Sequence, residues 1–160
     1  MVRKYYLFGA VVLAGLILFG VNCYAQNNNN QRTKVIYPGE FLEIHISEII
    51  KDISFYPITV NRINMEIIMV RGSDNTLRIT YNACKNCYRS GKGFFIHEDD
   101  ELVCQKCKMR FHIDIIGLST EDCQPISITD ENLIFTDNSI RISYENLSGN
   151  TRWFQHLNRR

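Results

Sequence analysis

Two pairs of cysteines have the spacing of metal-binding loops. Cys84 and Cys87 form one C-x-x-C motif, and Cys104 and Cys107 form a second. Two intervening residues let a tight turn direct both sulfurs of a pair towards one point, and two such turns supply four thiolates for a tetrahedral Zn²⁺ ion or an iron–sulfur cluster. The sequence therefore predicts one metal centre, with these four cysteines as its ligands.

Disulfide formation is the alternative use of the same residues. A disulfide within one C-x-x-C motif closes a small, strained ring, whereas cross-pairing between the two motifs stays open. Thiol–disulfide exchange by one motif is a further alternative, which the lack of a strand–helix–strand pattern disfavours. Cys123 is either an additional or exchangeable ligand or a buried thiol.

Basic residues surround the two motifs. Cations here would stabilise a negatively charged thiolate site, raise the reduction potential of a cluster and attract an acidic redox partner. A solvated basic surface without such a role is the simpler alternative. The residues concerned are Lys85, Arg89, Lys92, Lys106, Lys108 and Arg110.

Other chemistries find little support. No nucleophile–base signature, phosphate-binding loop or paired-carboxylate motif is visible, so we expect a protein that is not an enzyme. The net charge of +1 and the lack of a basic stripe argue against a nucleic-acid partner. No histidine has ligand spacing to a cysteine, and all four are expected at the surface. They are His45, His97, His112 and His156.

The N-terminal residues 1–25 predict export. Two basic residues precede an apolar run over residues 5–21, and the small residue Ala25 comes before a polar tract. Cleavage after Ala25 is one interpretation, and retention of residues 5–21 as a membrane anchor is the other. Lipidation of Cys23 is a third. Each places the rest of the chain outside the cytoplasm, either periplasmic or membrane-anchored.

The remainder of the 160-residue chain predicts one small all-β domain. Apolar and polar residues alternate in several short runs separated by polar turns, which is typical of an antiparallel sandwich or barrel. The only helix candidate lies at residues 47–52. After residues 1–25, the predicted organisation is a polar linker at 26–37, the four-cysteine domain at 38–147 and a frayed tail at 148–160.

Residues around the cysteines are familiar from a known family. Residues 83–94 hold the first motif and an S-G-K-G turn, 103–107 hold the second motif, and 123–125 form a C-x-P step. This pattern resembles the FtrD-like family of membrane-associated iron–sulfur proteins linked to bacterial iron transport. The likeness covers roughly residues 39–144, and it departs from the family at residues 121–122, where two glycines are usual. It implies an iron–sulfur centre and a membrane partner in iron transport.

The order of features after the second motif is also similar to that of Rieske domains. Phe111, Gly117 and Pro125 follow the motif in the order in which a phenylalanine, a glycine and a proline follow the second Rieske ligand loop. This resemblance implies a Rieske-like β fold with both cysteine motifs in ligand loops. Cysteines stand where Rieske proteins have histidines, and all-thiolate ligation gives a lower reduction potential.

Two functions therefore compete. One is an exported or membrane-anchored electron-transfer protein, in which an iron–sulfur cluster serves an iron-transport or redox partner. The other is a structural zinc module for partner binding. Export of an unfolded chain favours zinc, because such a chain cannot carry a finished cluster. The family resemblance favours iron and sulfur, and we expect the electron-transfer function.

Overall fold

The structure is a computed structural model that describes residues 33–49, 53–118 and 123–157. The predicted signal peptide or anchor, residues 1–25, lies outside these ranges. Across the described ranges, no helix has the length and apolar character needed to cross a membrane.

Strands dominate the described residues, and the prediction of an all-β domain is confirmed. The strands are β1 Lys34–Ile36, β2 Phe41–His45, β3 Ser54–Val60, β4 Ile63–Arg71, β5 Leu77–Cys84, β6 Phe95–Glu98, β7 Glu101–Cys104, β8 Arg110–His112, β9 Pro125–Ser127, β10 Ile134–Phe135 and β11 Ser139–Ser143. One α-helix, α1, spans Tyr144–Gly149. Short 3-10 turns lie at Ile46–Glu48, Tyr88–Ser90, Ile113–Ile115, Asp130–Asn132 and Thr151–Trp153.

The strands form three sheets. A five-stranded sheet has the order β1-β3-β4-β5-β9, and two three-stranded sheets have the orders β10-β11-β2 and β6-β7-β8. Neighbouring strands pair antiparallel, as predicted, except that β1 runs parallel to β3. The β6-β7-β8 sheet carries the second cysteine motif at the end of β7.

Strand β4 separates two hydrophobic clusters. Its residues 67–70 are all fully buried, so both of its faces are covered. Ile67 and Met69 pack into the larger cluster, whereas Ile68 and Val70 pack into a smaller one with Phe95, Leu102 and Phe111 of the β6-β7-β8 sheet. The smaller cluster also contains Cys84 and Cys104. The first cysteine of each motif is therefore buried in a hydrophobic cluster.

The ordered domain extends beyond both predicted boundaries. Strand β1 lies inside the predicted linker, because Ile36 is buried and pairs with Val60. At the other end, the predicted tail packs onto the domain as far as Phe154, which is 3% exposed and meets the ring of Tyr81 edge-on at 6.0 Å. Burial of these apolar side chains offsets the entropy of ordering the two ends.

The helix candidate at residues 47–52 falls only partly within the described ranges. The described part of the candidate at residues 47–52 contributes only to the 3-10 turn Ile46–Glu48, and residues 50–52 lie outside the described ranges. The α-helix is Tyr144–Gly149, a segment for which the sequence predicted no helix. Its N-cap is Ser143, whose hydroxyl accepts a hydrogen bond from the Asn146 amide at 3.2 Å.

Candidate metal centre

Backbone hydrogen bonds within the loop close the first cysteine motif. Cys84 is the last residue of β5, and the Cys87 amide donates to the Cys84 carbonyl at 3.2 Å. The Ser90 amide donates to the Cys87 carbonyl at 2.9 Å, and the Cys84 amide donates to the Gly93 carbonyl at 2.7 Å. These bonds satisfy the backbone of the turn, so the two sulfurs are held on one side of it.

Gly93 is required by a close approach of two backbone segments. A Cβ atom at this position would overlap the backbone of Cys87 and Tyr88. Only glycine leaves that space open, which is why the chain can return across the first loop at this point. The sequence predicts this glycine in a turn, and the close approach is visible only in the folded chain.

The second loop leaves the β6–β7 hairpin beside the first. Cys104 ends β7 and lies opposite Phe95 in the pairing of the hairpin. The Lys108 amide donates to the Cys104 carbonyl at 3.0 Å, and Lys108 itself has a left-handed backbone with φ of 64°. The Gln105 amide donates to the Phe94 carbonyl at 2.8 Å, which joins the second loop to the end of the first.

Asn82 fastens the hairpin to β5 just before the first cysteine. Its side-chain oxygen accepts from the Phe95 amide at 2.7 Å, and its Nδ2 donates to the Phe95 carbonyl at 3.1 Å. Nδ2 also donates to the Glu66 carboxylate at 2.6 Å. The side-chain amide of Asn82, which is 1% exposed, thus bonds the backbone of Phe95 as a neighbouring strand would. These bonds fix the hairpin against the start of the first loop.

A third segment brings Cys123 to the same place. Strand β9 pairs with β5, and Pro125 lies opposite Cys84 after a register shift between Tyr81 and Cys84. Such an irregularity redirects side chains next to functional sites. The Lys85 amide donates to the Gln124 carbonyl at 3.1 Å. Cys123 is consequently held beside the first loop.

Four sulfurs form a compact group. The Sγ atoms of Cys84, Cys87, Cys107 and Cys123 all lie within 4.8 Å of one another. Cys104 is not a member of this group, but its sulfur is hydrogen-bonded to those of Cys84 and Cys107. Three of the four predicted ligands therefore lie in this group, Cys104 adjoins it, and Cys123 is its fourth member. All five cysteines in the described ranges are free thiols.

Burial of the cysteines is graded from core to surface. Cys84 and Cys104 are fully buried, Cys87 and Cys123 are half-buried, and Cys107 is exposed. The group therefore rests on the smaller hydrophobic cluster and reaches solvent at Cys107.

The crowded thiols do not ionise independently. The hydrogen bond between Cys84 and Cys104 lowers the pKa of Cys104 to about 5, and it raises the pKa of Cys84 above its usual range. Burial raises the pKa of Cys87, and it raises that of Cys107 to about 12. A bound cation would supply the positive charge that several adjacent thiolates need.

The donor set fits a thiolate-bound metal. With metal–sulfur bonds of about 2.3 Å, a tetrahedral ion holds its sulfurs about 3.8 Å apart, and the four Sγ atoms here lie within 4.8 Å of one another. Thiolates bind zinc and iron readily, whereas calcium and magnesium prefer oxygen ligands. Cys84, Cys87, Cys107 and Cys123 are the residues best placed to hold such a metal.

The predicted basic residues differ in their surroundings. Lys85, Lys106 and Lys108 are exposed and adjoin the cysteines in sequence. Arg110 instead pairs with Glu98 at 2.8 Å and with Glu101 across the β6-β7-β8 sheet. These three lysines are therefore exposed cations adjoining the cysteines, whereas Arg110 is paired with acidic residues.

The histidines are exposed, as predicted, and among the described residues none belongs to the metal-capable group. His112 illustrates their surface position: its ring lies 3.5 Å from the Asp114 carboxylate, at the N-terminus of the 3-10 turn Ile113–Ile115.

Comparison with a family model decides the relationship. The model described as membrane iron-sulfur containing protein FtrD-like matches residues 50–154. The chain belongs to the FtrD-like family. The predicted resemblance is thereby confirmed, and the match includes all five cysteines described above. The search of curated proteins found no match.

Solved structures similar to this FtrD-like chain include Rieske proteins. Two are crystal structures of the quaternary ammonium Rieske monooxygenase CntA, one in complex with the inhibitor MMV12 and one with the substrate L-carnitine. Both are 15% identical and cover 73% of this chain, with TM-scores of 0.44 and 0.43. The match covers 37% and 38% of those enzymes, so this chain spans little more than a third of their length.

Proposed function

We propose that this protein is an exported or membrane-anchored iron–sulfur protein that exchanges single electrons with a membrane partner of an iron-transport system. The observation that carries the proposal is the convergence of five cysteines, from three segments of the chain, on one site that opens to the surface at Cys107. The protein itself alters no substrate.

The thiolate donor set supports iron as the redox element. Iron held by cysteine sulfurs undergoes one-electron reduction and oxidation, with a potential set by charge, hydrogen bonding and solvent exposure. In this chain, the buried Cys84 side keeps water from the centre. The exposed Cys107 side gives a donor or acceptor access to a ligand sulfur. The family description, which names iron and sulfur, points the same way.

The surface around Cys107 supports an acidic partner. Lys106 and Lys108 flank this cysteine, and Met109, which is 40% exposed, adds an apolar contact. Among the described residues, the observed ion pairs do not involve these two lysines. Unpaired cations around a redox centre attract an oppositely charged partner and increase its association rate.

The N-terminal sequence supports the proposed location. Residues 1–25 have the charge and apolar pattern of a signal peptide or anchor, and the family is described as a membrane family. Fractionation of cells producing the full chain tests this point: the protein should appear with the membrane or the periplasm and be absent from the cytoplasm.

A structural zinc module is the second candidate. The compact spacing of the four sulfurs favours it, because zinc sites with four cysteines are closed and tetrahedral. Zinc can also bind after export of an unfolded chain. In that case, the lysine-flanked surface would serve partner binding alone.

Elemental analysis of full-length protein purified without oxygen distinguishes the electron-transfer protein from the zinc module. We expect iron, together with visible absorbance that bleaches reversibly on reduction. Acid-labile sulfide, assayed in the same sample, distinguishes a cluster from a single iron ion. Colourless protein with one zinc ion per chain would overturn the electron-transfer proposal.

A further inference from the structure

Five thiols meet at a site for which four ligands suffice. We propose that the centre binds a single metal ion through Cys84, Cys87, Cys107 and Cys123, and that Cys104 is a hydrogen-bonding neighbour that does not bind the metal. This inference deepens the proposed function and rests on its claim that the site binds a metal. It departs from the spacing rule, which makes both members of each C-x-x-C motif ligands.

The sulfur positions support a single ion. Four Sγ atoms within 4.8 Å of one another need only a small contraction to reach the roughly 3.8 Å spacing around one tetrahedral ion. A centre with several irons needs wider spacing between sulfurs that bind different irons. Such widening is opposed by the bonds from Lys85 to Gln124 and from Gln105 to Phe94, which hold the three segments together.

The position of Cys104 explains why it is left over. It ends β7 with its side chain in the smaller hydrophobic cluster, beside Phe95 and Phe111, and it is fully buried. From there its sulfur reaches two members of the group, Cys84 and Cys107, from the core side. Without a metal, Cys84 is the donor in its hydrogen bond with Cys104. A metal-bound Cys84 thiolate has no proton to donate, so the Cys104 thiol becomes the donor to this ligand.

Cys123 is positioned in the opposite way. It is half-buried, and the pairing of β9 with β5 holds its segment against the first loop. Its sulfur lies within 4.8 Å of each of the other three in the group. Because Cys123 completes the compact set and Cys104 does not, the geometry assigns the fourth ligand to Cys123.

Cobalt substitution tests the ligand set without reference to electron transfer. The full chain is unfolded, stripped of metal and refolded with Co²⁺. Cobalt per chain and the sulfur-to-cobalt charge-transfer band are then measured, since the band grows with the number of bound thiolates. We expect one cobalt per wild-type chain. Cys104→Ala and Cys104→Ser should keep the cobalt and the full band, whereas Cys123→Ala should lose about a quarter of the band or at least tenfold in affinity.

Several outcomes would overturn the assignment. These are loss of the band in both Cys104 variants with retention in Cys123→Ala, equal losses at both positions, or two cobalt ions per wild-type chain. Cys84→Ala is the reference for loss of a true ligand. Because Cys104→Ala also leaves a small cavity, circular dichroism of each variant accompanies the measurement, and Cys104→Ser serves as the near-isosteric form.

The reduction potential provides a separate test of Cys104 as a positioning residue. In iron-loaded protein, loss of its hydrogen bond should lower the reduction potential, since hydrogen bonds to ligand sulfurs raise it. We expect Cys104→Ala to shift the ratio of oxidised to reduced protein towards the oxidised form, and Cys104→Ser to restore the wild-type ratio. Equal reduction potentials in wild type, Cys104→Ala and Cys104→Ser would show that Cys104 has no such role. If wild type holds zinc only, the proposed function fails, while the cobalt result still decides the ligand set.

Discussion

Pro125 lies opposite Cys84 in the pairing of β5 with β9, and this relationship brings Cys123 to the two cysteine loops. The sulfur of Cys123 then lies within 4.8 Å of that of Cys84. The site is consequently assembled from three segments rather than from one hairpin. Metal binding should therefore be coupled to folding of the five-stranded sheet.

Replacement of Gly93 should disable the first loop. A side chain in Gly93→Ala would collide with the backbone of Cys87 and Tyr88, so the loop must shift. We expect destabilisation of about 1–3 kcal/mol and weaker cobalt binding. Urea unfolding and cobalt titration measure the two effects. Gly149→Ala is the matched control, because a Cβ atom there meets nothing within 4 Å. A Gly93→Ala variant as stable as the control would contradict the close approach.

Removal of the Asn82 side chain should loosen the hairpin. Asn82→Ala leaves the buried amide and carbonyl of Phe95 without the partner seen here, which costs about 1–3 kcal/mol for each such group. Thermal unfolding measures the loss, and amide hydrogen exchange should show faster exchange at Phe95. Asn64→Ala is the control, since its hydrogen bond to Thr59 is exposed. Similar stability in the two variants would mean that Asn82 does not fasten the hairpin.

Asp74 should contribute stability at neutral pH that disappears in acid. The Arg78 guanidinium, which is 7% exposed, donates to Asp74 and holds the pKa of this carboxyl well below its usual range. Because the folded-state pKa is lowered, the contribution is complete above the unfolded-state pKa of about 3.9 and is lost as the pH falls below it.

Comparison of wild type with Asp74→Asn checks this linkage. The variant should be less stable at pH 7, and the difference should shrink as unfolding is measured at successively lower pH below about 4. The exposed Asp137→Asn is the control and should match wild type at both ends of the range. A difference that stays constant into acid would show that Asp74 stabilises the fold in another way.

Charge reversal beside Cys107 should slow electron exchange with anions. Lys106→Glu combined with Lys108→Glu should reduce the rate of oxidation of iron-loaded protein by ferricyanide, with the largest effect at low salt. Stopped-flow absorbance measures the rate. Lys34→Glu, on β1, is the control and should leave the rate near that of wild type. An unchanged rate at low salt would exclude Cys107 as the point of exchange.

Local patterns accounted for much of the architecture. Alternation along the chain marked β2, whose side chains alternate between buried and more exposed positions. Apolar residues at every second position also marked β4 and β5, although both faces of these strands are largely buried. The Asp99-Asp100 turn between β6 and β7 was visible as polar residues, and Asp99 has the positive φ of 55° that such a turn accommodates. By contrast, β3 was missed, and the packing of Phe154 against Tyr81 depends on tertiary contact that no local pattern records.

The amino-acid sequence by itself determined that two cysteine pairs would form tight turns on a β domain, since two-residue spacing and alternation act over a few residues. Only the tertiary structure decided how the five sulfurs divide into a compact four and a buried neighbour. That division follows from the register shift before Cys84, which sets Pro125 and hence Cys123, and from the hairpin that turns Cys104 into the core. Strand register joins residues that are distant along the chain, and a spacing rule carries no information about it.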